Sequence, residues 1–208
     1  MDLILIHGLG RTPLSLLRLR RHLRRAGHRA LLFGYSPTFE TLHGATARLL
    51  RRVEHRIGGR RYALVGHSLG TVLIRHALRG LASHPPAACF FLAPPLVACR
   101  AAKFFTRFRA FRLATGEMGR LLADDAFMED LPMPPGPLRI YAGTAGPRAA
   151  WLPFGDAPND GILSVAEATR DRQAQVLQVP ALHTFIMNAP QVRADILATL
   201  ARLEAVPA

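Results

Sequence analysis

A serine set between two glycines, Gly66-His67-Ser68-Leu69-Gly70, constrains the fold of this chain more than any other stretch. It follows the apolar run Tyr62-Ala63-Leu64-Val65. It precedes Leu69, Val72, Leu73, Ala77 and Leu78, which recur at helical spacing. A strand must therefore turn sharply into a helix at Ser68, and side chains at Gly66 and Gly70 would collide in so tight a turn. A G-x-S-x-G pattern in that setting predicts a nucleophile elbow, which holds the serine oxygen clear of the sheet.

The remaining pattern alternates strands and helices. Short apolar runs at Asp2 to Ile6, Arg29 to Phe33, Tyr62 to Val65, Ala88 to Ala93, Leu138 to Tyr141 and Ala174 to Val179 read as six strands, most of them ending near glycine or proline. Helical spacing covers Pro13 to Ala26, Phe39 to Ile57, Leu69 to Leu81, part of Ala101 to Phe127, and Val192 to Leu203. That order predicts an α/β fold, a mostly parallel sheet wrapped on both faces with ligands at the carboxyl ends of its strands. The chain has 208 residues, half of them hydrophobic, and no break in composition, so one domain over residues 1–208 is expected.

Several functional classes find no support. The longest apolar stretch, Ala87 to Cys99, is interrupted by Pro94 and Pro95 and is too short to cross a bilayer as a helix. Met1 to Ile6 lacks a basic leader and reads as a strand, so a cytoplasmic protein is expected. Cys89 and Cys99 match neither a metal-ligand spacing nor a disulfide framework and are expected as reduced thiols. There is no phosphate-cradling glycine loop and no dinucleotide fingerprint, and no cofactor or metal is expected.

The net charge of +13 comes almost wholly from arginine, with Lys103 the only lysine. Such charge can mark a nucleic-acid or anionic-membrane partner. No recognition motif with interleaved aromatic residues accompanies it, and solvated helix faces account for it more simply. No nucleic-acid partner is expected, weak contact with an anionic membrane surface stays open, and the chain is expected to be monomeric.

A serine hydroxyl becomes a useful nucleophile only when a base takes its proton, and that base needs a carboxylate to set its tautomer. Of nine histidines, His183 stands apart: it follows the last strand and a short Pro180-Ala181-Leu182 loop and precedes the closing helix. His7 and His67 belong to the two glycine motifs and more simply shape the turns. Asn159-Asp160-Gly161, between the fifth and sixth strands, offers Asp160 as the acid, although such a run is also a common turn sequence. Asp156 is its nearest competitor, and the order Ser, Asp, His follows the chain. The first strand runs into His7-Gly8-Leu9-Gly10, and the backbone N–H groups of Leu9 and Leu69 are the expected oxyanion donors.

With these residues assembled, the chain resembles the α/β-hydrolase superfamily, in particular small bacterial lipase-like serine hydrolases. The likeness runs over nearly the whole chain, through His7-Gly8-Leu9-Gly10, Val65 to Gly70, Ala93-Pro94-Pro95, Ala142-Gly143-Thr144, Asn159-Asp160-Gly161 and His183-Thr184. Thr71 replaces a second glycine often seen after the elbow, and Leu96 to Arg100 departs from a polar continuation of the Pro-Pro turn. The resemblance implies a fold lacking the first two strands of the full version, and a Ser68-His183-Asp160 triad that cleaves carboxylic esters of small molecules through an acyl-enzyme. A non-catalytic protein of the same fold that binds nucleic acid or anionic lipid through its basic surface is the alternative. Phe104, Phe108 and Phe111 recur at i, i+4 and i+7, so a helical cap at about residues 100–130 is expected to hold an apolar face over the acyl pocket; plain core packing would give the same periodicity.

Overall fold

The computed structural model describes residues 1–170 and 175–205. Within them, β1 (Asp2–Ile6), β2 (Arg29–Phe33), β3 (Tyr62–His67), β4 (Ala88–Leu92), β5 (Leu138–Gly143) and β6 (Val176–Val179) form one sheet in the order β2-β1-β3-β4-β5-β6. Every neighbouring pair is parallel. The expected start of the sixth strand, Ala174, lies outside the described residues.

Both faces of the sheet are covered, which is why β1 is buried along its whole length. Side chains alternate along a strand, so Leu3 and Leu5 pack with α1 (Leu17–Arg25) and α8 (Pro190–Ala205). Ile4 and Ile6 enter the opposite core with α2 (Leu42–Ile57) and α3 (Leu69–Ala77). The strand order explains this division. The chain moves outward from β1 to β2, then returns past β1 to place β3 on its other side. Right-handed crossovers that reverse direction leave their helices on opposite faces, and the connections leaving β1 and β3 diverge to form a crevice at the carboxyl ends of those strands. His7 to Gly10 and Ser68 lie at those two ends.

Local chemistry sets the element ends. The second helix begins at Leu42 rather than Phe39 because the Thr41 hydroxyl caps it, accepting from the Gly44 N–H at 3.0 Å. Between β4 and β5 the chain forms three helices, α4 (Arg100–Phe105), α5 (Arg109–Leu121) and α6 (Asp125–Asp130), and α7 (Val165–Thr169) precedes β6. The phenylalanine periodicity expected of one helix is therefore cut. Phe108 is extended and caps the N-terminus of α5, and the Arg112 guanidinium donates to the Thr106 and Arg107 carbonyls left open at the break. Among the described residues no helix is long and apolar enough to cross a membrane.

Arg75 was not singled out by the sequence, yet it is fully buried in α3. Its guanidinium donates to the carbonyls of Met128 at 3.0 Å and Leu131 at 2.6 Å at the end of α6, and to Leu96 at 3.4 Å in the loop after β4. A buried charge needs such partners. The helix that carries Ser68 at its N-terminus is thus also tied to the end of α6 and to the loop after β4.

Candidate active site

Ser68 has φ 51° and ψ −121°, a backbone region costly for any residue with a side chain, on the order of 1–3 kcal/mol. Its surroundings hold it there. The Ser68 N–H donates to the Leu92 carbonyl at 2.9 Å, and the Ser68 carbonyl accepts from the Thr71 N–H at 2.9 Å and the Thr71 hydroxyl at 2.7 Å. The Thr71 side chain thereby adds a hydrogen bond to the turn. The glycines serve close approach. A Cβ at Gly66 would stand 2.9 Å from the Thr71 nitrogen, within the turn itself, whereas one at Gly70 would stand 2.5 Å from the Ile6 carbonyl oxygen. The demand at Gly70 therefore comes from the end of β1, a neighbour invisible to local sequence.

Asp160 and His183 meet across 23 residues. Asp160 Oδ2 accepts from His183 Nδ1 at 2.8 Å, while Oδ1 accepts from the Ile162 and Leu163 N–H groups at 2.9 and 2.7 Å. The His183 backbone N–H also donates to the Asp160 carbonyl at 2.9 Å. A carboxylate can only accept in this geometry, so the proton of the neutral ring sits on Nδ1 and Nε2 keeps a lone pair. Asp160 is buried and Asp156 is exposed. The Asn159 side chain closes the turn, donating to the Pro147 and Ala157 carbonyls and accepting from the Gly161 N–H.

The two motif histidines are locked as neutral rings. His7 donates from Nδ1 to the Gly8 carbonyl at 2.9 Å, accepts at Nε2 from the Tyr35 N–H at 3.4 Å, and stacks on the Tyr35 ring. Burial holds its pKa below the usual histidine range. His67 donates from Nε2 to the His183 carbonyl at 2.9 Å, and its buried Nδ1 has no hydrogen-bond partner among the described residues. Burial, then the nearby His183 and Arg11, push the His67 pKa down to about 3. Because this lies below the ordinary 6.5, the unfolded chain takes up the proton first as pH falls. His67 thus costs no stability above about pH 6.5 and removes up to about 1.4 kcal/mol per pH unit between there and about pH 3. Urea midpoints at pH 7 and about pH 5.5 are expected to differ more in the wild type than in His67→Asn; equal shifts would refute this.

Ser68 and His183 line one cavity of about 350 Å³, together with Leu9, His67 and Thr184. Its far wall is apolar, formed by Cys99, Ala102, Phe105, Phe111 and Leu122. Leu69 is buried in the first turn of α3, where N–H groups lack intrahelical acceptors. Of the three phenylalanines expected over the pocket, Phe111 is in this lining. Phe104 and Phe108 are not; they pack edge-to-face on each other and are half exposed. Phe105, beside Phe104 in the chain, stacks on Phe111 and takes the position at the wall. Burial raises the Cys99 thiol to about 11 and pushes Cys89 still higher, and both are free, as expected.

The fold recurs in solved structures. A thioesterase from the prodiginine biosynthetic pathway of Streptomyces coelicolor superposes with a TM-score of 0.63 at 18% identity, over 97% of this chain and 85% of that one. A Bacillus licheniformis lipase in mature form gives 0.68 at 16% identity, over 96% and 91%. A metagenomic carboxyl esterase gives 0.69 at 19% identity, over 99% and 76%. At such identities the likeness is one of fold. Among curated proteins none matches the sequence. A model of the alpha/beta hydrolase family, however, matches residues 3–207, from the first strand to the closing helix. This chain belongs to the alpha/beta hydrolase family.

Proposed function

We propose that the protein is a serine hydrolase that cleaves carboxylic esters through an acyl-enzyme. The observation that carries this reading is the bond from His183 Nδ1 to the buried Asp160 carboxylate, which leaves Nε2 as a proton acceptor in the cavity that Ser68 lines. Ser68 Oγ attacks the ester carbonyl as His183 Nε2 takes its proton. The charge that develops on the carbonyl oxygen is met by the Leu9 and Leu69 N–H groups. His183 then passes the proton to the departing alcohol and activates the water that releases the acid. Each step uses side chains and backbone of this chain alone.

The apolar wall gives the acyl chain its place, and the helices between β4 and β5 act as a cap over it. Reaction with a fluorophosphonate probe tests the nucleophile: labelling of the wild type and none of folded Ser68→Ala is expected, and equal labelling would exclude Ser68. Chain length tests the wall. Phe111→Ala is expected to lower kcat/KM for an octanoate ester by about tenfold relative to acetate, the scale of a lost apolar contact. Phe108→Ala, outside the lining, should leave the octanoate-to-acetate ratio near that of wild type. The opposite ranking would put the acyl chain against the exposed phenylalanines.

A further inference from the structure

We propose that Arg11 is an anion site that selects esters whose leaving group carries a carboxylate or phosphate; this assignment of substrate class rests on the ester-hydrolase reading above. A second cavity, of about 490 Å³, adjoins the one that holds Ser68. The two share Leu9, Gly10, Arg11 and Phe111, so they meet at the turn that follows β1. Their walls differ in chemistry. The second carries the hydroxyl side chains of Thr12, Tyr35, Ser36, Thr38 and Thr115, whereas the far wall of the first is apolar.

Among the described residues Arg11 is the one arginine, lysine or carboxylate side chain in the lining of either cavity, and it is half-buried. Several other arginines find an anion within the protein. Arg29 and Arg60 share the Asp2 carboxylate, Arg48 pairs with Glu40, and Arg139 makes a two-pronged pair with Asp195. Among the described residues nothing plays that part for Arg11: its guanidinium has neither carboxylate nor carbonyl in hydrogen-bonding reach, and only its backbone N–H is used, donating to the Gly8 carbonyl at 3.3 Å. Its charge nonetheless reaches the site, since it contributes, after burial and His183, to keeping His67 neutral.

An ester carbonyl held at the Leu9 and Leu69 amides has its two substituents pointing apart. An acyl chain fits the apolar wall, and the alcohol portion then extends over the Leu9 turn into the hydroxyl-lined cavity, past Arg11. A planar guanidinium whose donors have no acceptor among the described residues is matched there by a carboxylate or a phosphate, to which it can bond through two N–H groups at once.

The test compares kcat/KM for meta-(butyryloxy)benzoate, meta-(butyryloxy)phenyl phosphate and the neutral methyl ester of the former, in wild type, Arg11→Gln and Arg11→Lys. The wild type is expected to favour the anionic esters. In Arg11→Gln the anionic-to-neutral ratio should fall about tenfold, the low end for a charge-assisted pair that keeps some solvent, with Arg11→Lys between the two. Arg109→Gln, which removes the same charge from outside both cavities, should leave the ratio unchanged. Loss of the ratio for one anion alone separates carboxylate from phosphate as the ligand. A ratio unaltered in Arg11→Gln, or a preference that appears only when the anion is placed on the acyl side as a succinate half-ester, overturns the proposal. Calorimetry of meta-hydroxyphenyl phosphate with Ser68→Ala, with and without Arg11→Gln, reads the site without turnover. Binding that weakens about tenfold on loss of Arg11, in a protein that hydrolyses no ester, would sink the hydrolase reading and leave the anion site standing; no dependence on Arg11 would sink the site.

Discussion

Ser68→Ala and His183→Ala are each expected to abolish hydrolysis of p-nitrophenyl esters, to on the order of 10⁶-fold below wild-type turnover, because in the proposed mechanism nucleophile and base act as one unit. Both variants should stay folded. Alanine at position 68 keeps the Cβ that the turn already accommodates, and the two bonds to the Ser68 carbonyl and the one from its N–H involve only backbone atoms of that residue. In His183→Ala the backbone bonds of residue 183 with Asp160 and His67 survive, and Asp160 keeps the Ile162 and Leu163 N–H groups at Oδ1. One charge-assisted hydrogen bond is lost, at about 1.5–3 kcal/mol. Progress curves beside thermal melts check both statements. A folded Ser68→Ala protein with wild-type rates would remove Ser68 from the mechanism.

Asp160→Asn is expected to lose about 10⁴-fold in kcat with little change of shape, for a reason visible in the hydrogen bonds. The Ile162 and Leu163 N–H groups both need an acceptor and converge on Oδ1. An asparagine must therefore turn its amide oxygen to them and its NH₂ toward His183. His183 Nδ1 then has to accept, the ring proton moves to Nε2, and the ring can no longer take a proton from Ser68. Asp156→Asn, at an exposed position, should retain full activity. If Asp156→Asn were the dead variant and Asp160→Asn the active one, the acid would be misassigned.

The α/β architecture was legible because strand and helix periods are local properties. All six strands form where apolar runs of four to six residues end in glycine, proline or a loop, and the parallel order follows from helices intervening between them. Ser68 was legible for a similar reason, since part of the steric demand that writes glycine at position 66 comes from atoms within five residues. His183 and Asp160 were legible only as an order along the chain; nothing in their neighbours requires that their side chains meet.

Tertiary structure decided the rest. Which carboxylate faces His183 depends on burial and on the loop after β5 meeting the loop after β6, where the His183 backbone N–H donates to the Asp160 carbonyl and its ring to the Asp160 carboxylate. The identity of the pocket phenylalanines depended on a helix break at Phe108. The i, i+4, i+7 spacing that suits one continuous helix instead leaves Phe104 and Phe108 half exposed and brings Phe105 with Phe111 to the cavity. Arg75 and Arg11 belong to one composition class in the sequence, but one is sealed among helix-end carbonyls and the side chain of the other has no partner among the described residues, where two cavities join. Periodicity and turn chemistry are fixed by neighbours along the chain, whereas partners, tautomers and cavity walls are set by atoms that folding alone brings within a few ångströms.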